Sequence, residues 1–283
     1  AHMNQAPGAK IKHVILVIGG QGIGKSAIGR LLARMVGDQH ALTIAAGDAE
    51  NRFKANWSDR QALIIEELMA SDKIKFYNEM KTWIAEETMS VEEKYLESTV
   101  AATPRGIFAF SNEVNPTRIS SDDRRFFVVR TSMKRQPQEY YEKLFAAING
   151  SEAAHFKQYL LDLDISAFCC TAPPPKTKAK LDIIEDTRPP TEAKLEELIA
   201  SELGVFSRDL VRLENVRPQL REDYLERLPS VSATTAALRS LGACRLETQT
   251  KLDDGTKPRL WVIRNHDQWK DCSAEAIKAE MRK

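Results

Sequence analysis

Cysteine is scarce in this chain: Cys169, Cys170, Cys244 and Cys272 are its four among 283 residues. None forms a C-x-x-C pair or has a histidine nearby, which argues against a zinc site and leaves reduced, cytosolic thiols as the expectation. Long apolar runs are missing too, and none approaches the roughly 18 residues of a membrane-spanning helix. The reading is of a chain without a secretory leader, whose opening Ala1-His2-Met3 has the form of a tag scar; residues 1–10 are therefore set apart from the fold. An excess of charge is also lacking. The formal net charge is +1, so any nucleic-acid site has to be a local patch or channel. What remains is 42% hydrophobic and 29% charged, the composition of an ordinary globular protein of one large or two smaller domains.

The most informative segment is Gly19-Gly20-Gln21-Gly22-Ile23-Gly24-Lys25-Ser26, which follows the apolar run Val14–Ile18. A strand feeding G-x-x-x-x-G-K-S is a phosphate loop. Its glycines let the backbone curl until successive N–H groups point inward at a triphosphate, with Ala27 opening the next helix. In that reading Lys25 reaches the β- and γ-phosphates, Ser26 holds Mg²⁺, and a helix starting near Ser26 adds the positive end of its dipole.

Around this loop, residues 11 to 130 alternate between strand and helix patterns. Strands are predicted at Val14–Ile18, Leu42–Ala45, Ala62–Ile65, Ile107–Ser111 and Phe126–Arg130. The near-continuous apolar runs near 14, 62 and 107 suit strands buried on both faces of a mostly parallel sheet. Ile74–Glu87 is expected to be helical, with Phe76, Met80, Trp83 and Ile84 on one face, and residues 137–163 read as helical throughout. A proline-rich connector, 172–190, contains Pro173-Pro174-Pro175 and Pro189-Pro190 and a possible short helix at Lys176–Glu185. It separates a core (11–171) from a second domain (191–270) and a tail (271–283) that is either a short polar helix or frayed. The second domain reads as helices at Glu192–Leu203 (ending at Gly204), Ser207–Leu213 (Ser207 as N-cap) and Ser232–Leu241 (ending at Gly242). Strands Cys244–Thr250 and Arg259–Arg264 follow, joined around Asp253-Asp254-Gly255. Three helices and a hairpin is the order of a winged helix.

Chemistry is carried by four further features. Glu66-Glu67 end the strand that begins at Ala62. The first acid suits Mg²⁺ or its water shell, and the second can polarise the water that attacks the γ-phosphate. Asn112 ends the 107–111 strand, where ligands of open α/β sheets sit. It can hydrogen-bond the attacking water or the γ-phosphate, or it can cap a turn before Asn115-Pro116. Arg124 and Arg125 follow Asp122-Asp123. They can form local ion pairs or can neutralise phosphoryl charge in a neighbouring subunit, and Arg130 is a third candidate for that role. Lys94, in a glutamate-rich stretch, could pair with its neighbours on a helix.

The set Gly19–Ser26, Leu63–Glu67 and Ile107–Asn112, in order and within about a hundred residues, resembles a superfamily 3 helicase. More narrowly, it resembles the helicase part of phage and plasmid primase-helicases. Asn51–Asn56, Met80–Lys94, Asp123–Phe127 and Pro173–Lys180 fit that group. Glu66 stands where aspartate is commoner, and Ser111 where threonine is frequent. The resemblance implies an AAA+ core, ATP and Mg²⁺ as cofactors, and a homo-oligomeric, usually hexameric, ring. The ring would move 3′ to 5′ on single-stranded DNA in the cytoplasm of a bacterial or phage-infected host. It also implies a hairpin in the ring channel, near 94–105, with Lys94 on the DNA backbone and Tyr95 and Arg105 as further DNA contacts. A primase or polymerase domain upstream is possible in that group. Two rival readings are an origin-binding module using the winged helix, with Ser232–Arg239 and Lys251, Lys257 and Arg259 against duplex DNA, and a small-molecule kinase. The kinase would need an acceptor lid that the sequence does not show.

Overall fold

Parallel pairing organises the larger part of the chain. The computed structural model describes residues 1–45, 57–69, 73–91, 99–221 and 228–283. It divides into two compact units, Ala1–Thr187 and Arg188–Lys283.

The first unit is built on β1 (Val14–Ile18), β2 (Ala41–Ala45), β3 (Ala62–Glu66), β6 (Gly106–Ser111) and β7 (Phe126–Arg130). They form one sheet in the order β2-β3-β6-β1-β7, and every pairing in it is parallel. The apolar runs fit this placement, because β6 is buried at all of its positions and β3 at all but the last. β4 (Thr88–Val91) and β5 (Thr99–Ala102) form a separate antiparallel pair between β3 and β6 in sequence.

Helices cover both faces of the sheet. Side chains alternate along each strand, so Leu16, Leu63, Ile65, Ile107 and Val128 share one core with Phe76, Met80, Trp83 and Ile84 of α3 (Lys73–Ala85). Ile183 of α6 (Lys178–Asp186) joins them. Ile15, Ile64, Phe108 and Phe110 face the other way, against Leu32, Ala33 and Val36 of α2 (Lys25–Val36). Met3 of α1 (His2–Gln5) joins this second core and Lys10 is buried, so residues 1–10, set apart on sequence grounds, are part of the fold. The Lys10 ammonium donates to Trp83 O (2.7 Å), Glu86 O and the Thr103 hydroxyl. This fastens the end of α3 to the segment that follows β5, and burial pulls the Lys10 pKa down to about 8.

The stretch 137–163 is two helices, α4 (Gln138–Asn149) and α5 (Glu152–Asp162). Gly150 stops the first, with extended backbone at φ −93°, ψ −164°. On the outer edge of the sheet, Thr177 Oγ1 donates to Val128 O at 2.6 Å and also accepts from Lys180 N, capping α6. The edge strand β7 is thereby covered by a helix. Beneath it, Lys180 Nζ and Asp123 Oδ1 form a fully buried ion pair at 2.9 Å.

The second unit contains α7 (Pro190–Ser201), β8 (Leu210–Arg212), α8 (Leu213–Gln219), α9 (Val231–Ser240), β9 (Cys244–Arg245), β10 (Leu260–Val262) and α10 (Ala274–Arg282). The sheet order is β8-β10-β9, antiparallel throughout. Its two faces carry separate cores. Leu195, Phe206, Val211, Leu238 and Trp261 pack together on one, and Leu210, Leu260, Val262, Trp269 and Ile277 on the other.

Several boundaries differ from expectation here. Ser207–Leu213 is not a helix: Leu210 and Val211 lie on opposite faces of β8, and pairing with β10 outweighs the local helical pattern. Ser207 instead ends a 3₁₀ turn, Gly204–Ser207. The left-handed residue at the end of α7 is Glu202 (φ 53°), two positions before the expected Gly204. The N-cap of α9 is Ser230, whose hydroxyl accepts from Ala233 N, whereas Gly242 (φ 85°) does close that helix, with its N–H on Arg239 O. Strand β9 is only two residues long, and the chain turns at Asp253-Asp254-Gly255 with Gly255 at φ 79°. Residues 271–283 are packed: Ile277 is fully buried and Glu280 Oε1 accepts from Asp209 N at 2.8 Å.

Candidate active site

β1 ends inside the sheet, between β6 and the edge strand β7, with Ile18 level with Ser111 and with Arg130. The chain then curls through Gly22 (φ 74°) and Gly24 (φ 97°) into α2, which starts at Lys25 with no side-chain cap. Both torsions lie in the left-handed region that glycine adopts without strain. The backbone N–H groups from Gly20 to Ser26 make no hydrogen bond to any described residue. A run of free donors at a helix N-terminus is an anion cradle. One turn into α2, Gly29 lets the helix approach the sheet. A Cβ there would lie 3.2 Å from Ile64 Cγ2 and 3.4 Å from Glu66 Oε1.

The predicted loop residues converge with those from β3 and β6. Lys25 Nζ donates to Gly19 O (2.7 Å), Gly20 O (2.6 Å) and Asn112 Oδ1 (2.6 Å). Ser26 Oγ donates to Glu66 Oε2 at 3.3 Å. Glu67 follows with φ 52°, a left-handed conformation that costs a non-glycine residue energy. Its carboxylate raises the Lys25 pKa less than desolvation lowers it, so the ammonium titrates below its ordinary value. Ser111 holds this arrangement from beneath, because its buried hydroxyl donates to Leu68 O (2.6 Å) and accepts from Glu113 N (3.0 Å). Lys25, Ser26, Glu66, Glu67 and Asn112 together border a cleft of about 430 Å³.

Arg135, Gln138, Tyr141, Glu142 and Phe145 also line the cleft. The sequence reading missed all five. They come from the connection after β7 and from α4, and only the fold brings that segment back over the loop.

Other predicted residues lie elsewhere. Arg124 and Arg125 precede β7, and Arg125 O accepts from Val14 N at the start of β1. At a rise of about 3.3 Å per residue, that edge is roughly 16 Å from the loop. With Lys12 and Ala85 they border a second cleft, of about 310 Å³. Neither pairs with Asp123, whose carboxylate takes Lys180, Tyr77 Oη (3.0 Å) and the N–H groups of Arg125 and Phe126. Arg130 is at the loop edge but is held by Asp182 (3.2 Å) and Val114 O (3.3 Å). Arg105 pairs with Glu87 Oε2 at 2.9 Å, next to Lys12. Lys94 and Tyr95, like Asn51–Asn56, lie outside the described residues. In the second unit Lys251, Lys257 and Arg259 are exposed, as are Ser232, Ala233 and Arg239, whereas Thr234 is buried with its hydroxyl on Ser230 O.

Comparison with known proteins places the chain beside a phage protein. Residues 17–125, which hold the loop, Glu66, Glu67 and Asn112, match the family described as "Family of unknown function (DUF5906)". The chain is homologous to the "DNA Primase-polymerase" of Nitratiruptor phage NrS-1, with 24% identity over 155 residues, 53% of this chain and 21% of the relative. It thus spans about a fifth of that protein's length. The apo structure of the NrS-1 C-terminal region (305-718) superposes with a TM-score of 0.59 at 17% identity, covering 91% of this chain and 68% of that one. A second structure, the A form of the same region, gives a TM-score of 0.58 at 17% identity, covering 93% and 69%. At that identity the likeness establishes a shared fold. The four cysteines are free, and among the described residues no helix is long and apolar enough to cross a membrane.

Proposed function

We propose that this chain is the ATP-hydrolysing motor part of a phage-type DNA replication protein, a superfamily 3 helicase or translocase with an AAA+ core. The observation that carries the reading is the convergence of Lys25, the Ser26–Glu66 pair and Asn112 on one cleft, from the ends of three neighbouring strands. The strand order, with the loop-bearing strand between β6 and β7, supports it. Homology to the NrS-1 primase-polymerase supports a role in phage DNA replication.

The residues present fit a magnesium nucleotide. Magnesium takes oxygen ligands, commonly one or two carboxylates together with substrate phosphates, and the Ser26 hydroxyl and Glu66 carboxylate are side by side. Bound there, Mg²⁺ would neutralise charge on the β- and γ-phosphates. The free N–H groups of residues 20–26 would cradle the phosphates, and Lys25 would exchange its carbonyl acceptors for phosphate oxygens. Glu67 would accept the proton of the attacking water while Asn112 orients it. Arg124 or Arg125, too far from the loop of its own chain, would complete the site of a neighbouring subunit in a homo-oligomeric, hexameric ring. Hydrolysis would move the segment around Lys94, Tyr95 and Arg105 along single-stranded DNA, 3′ to 5′, with a primase or polymerase region as a further partner.

An unwinding assay on forked DNA with a 3′ or a 5′ tail, with ATP and Mg²⁺, tests this reading. The expected result is displacement that needs the 3′ tail and is lost with Lys25→Ala. Nucleotide-independent displacement, or DNA-dependent ATPase retained by Lys25→Ala, overturns it.

A second reading draws on the other unit. Its order of helix, strand, two helices, hairpin and helix suits a winged helix, and Arg217, Val231, Pro258 and Arg259 border a cleft of about 290 Å³. There ATP would only drive assembly while this unit holds an origin duplex. A footprint on one sequence without strand displacement favours it.

A further inference from the structure

The connection that leaves β7 crosses the phosphate loop, and it and the first turn of α4 lie against three of the loop's glycines. Thr131 N donates to Ile18 O at 2.9 Å, which fixes the start of the crossing at the end of β1. A Cβ on Gly19 would lie 2.6 Å from Thr131 Cγ2; one on Gly22 would lie 3.4 Å from Arg135 Cδ and 3.5 Å from Arg135 Nε; one on Gly24 would lie 3.3 Å from Tyr141 Cε1. The glycines thus serve two purposes. They curl the loop around a phosphate, and they leave room for a strap laid over it. Gln136 N donates to the Tyr141 hydroxyl at 3.0 Å, so the strap is clasped immediately after Arg135.

Arg135 itself is exposed, lines the cleft, and forms no ion pair or side-chain hydrogen bond with any described residue. Arg130, the last residue of β7, is tied to Asp182 and Val114, and Lys25 has all three of its donors engaged. A guanidinium has five donors in a planar fork and cannot lose its charge. Held beside a loop of inward-facing N–H groups, it matches the oxygens of a polyphosphate.

We propose that Arg135 is a phosphate-binding residue acting within its own chain, contacting the triphosphate of the nucleotide held by the loop it crosses. The inference rests on the nucleotide-hydrolysing reading of the cleft. It separates two arginine roles by geometry: Arg135 serves the loop of its own chain, and Arg124 and Arg125, at the opposite edge of the sheet, cannot. It also makes the strap a direct link between bound phosphate and α4, since Arg135 and the Gln136–Tyr141 clasp are adjacent.

The test is a titration of a fluorescent ATP analogue with Mg²⁺ into the full chain, as wild type, Lys25→Ala, Arg135→Ala and Arg135→Lys. Inorganic tripolyphosphate serves as competitor, and thermal melting confirms equal folding. The wild type is expected to bind and Lys25→Ala to lose binding. Arg135→Ala should weaken both the analogue and tripolyphosphate by about tenfold or more, and Arg135→Lys should recover part of that loss by restoring charge without the fork. If the wild type binds no nucleotide, the functional reading itself fails. If the wild type binds and Arg135→Ala binds as tightly, only the strap inference is overturned. It is overturned equally if Arg135→Ala weakens the analogue but leaves tripolyphosphate unaffected, because the guanidinium then meets the base or sugar.

Discussion

Lys25 Nζ and Asn112 Oδ1 lie 2.6 Å apart, across a sequence separation of 87 residues. The bond joins the start of α2 to the end of β6 and sets the lysine and the amide on the same cleft. Asn112 therefore lies beside the phosphate loop, where a ligand held by the loop would meet its amide.

Asn112→Ala should slow ATP turnover about a hundredfold, the usual cost of losing one positioned hydrogen-bonding group. Nucleotide affinity should change little, because the loop N–H groups remain. Steady-state hydrolysis and equilibrium binding, measured on the same preparation, check both halves.

Glu67→Gln keeps the size of the side chain and removes its basicity. Hydrolysis should fall by about 10² to 10⁴ while ATP still binds, so the variant should accumulate in the ATP-bound form. Filter retention of labelled ATP after a chase reads this directly. Turnover at the wild-type rate would remove Glu67 from the mechanism.

Lys180→Met should destabilise the first unit by about 3–5 kcal/mol, because it leaves the buried Asp123 carboxylate without its cation. Burial pushes the Asp123 carboxyl up, but hydrogen bonds from Lys180 and from the N–H groups of Phe126 and Arg125 hold it below its ordinary value. A carboxylate depressed in the folded state contributes stability above its unfolded pKa of about 3.9. That contribution is lost as pH falls through the lower folded value. Urea denaturation at neutral pH and at pH 3 should show the wild type losing part of its advantage over the variant.

Lys10→Met removes the donor shared by Trp83 O, Glu86 O and the Thr103 hydroxyl. Leaving buried acceptors unpaired should cost about 1–3 kcal/mol. Amide exchange should quicken at Thr103, whose N–H bonds to Glu87 O across the root of the β4–β5 pair. Unchanged stability would mean that the N-terminal segment does not secure that root.

The five strands of the large sheet were legible because each is a short apolar run with its own boundary, as at Val14–Ile18 and Phe126–Arg130. The second unit was harder to read. Leu210 and Val211 fit a helix face locally, and only antiparallel pairing with Val262 and Trp261 decides for a strand. Met3 and Ile277 were likewise invisible as core residues, because the terminal segments around them are short and polar and their burial depends on partners far along the chain.

The sequence by itself determined the positions of the loop Gly19–Ser26, the acids Glu66 and Glu67, and Asn112 relative to one another, because each follows or ends a strand and a parallel sheet gathers such ends along one edge. Only the tertiary structure decided which other groups meet there. It turned Arg124 and Arg125 to the opposite edge, since they precede β7 where the candidate-site residues follow their strands. It laid Arg135 across Gly22, because leaving β7 beside the end of β1 takes the chain directly over the loop.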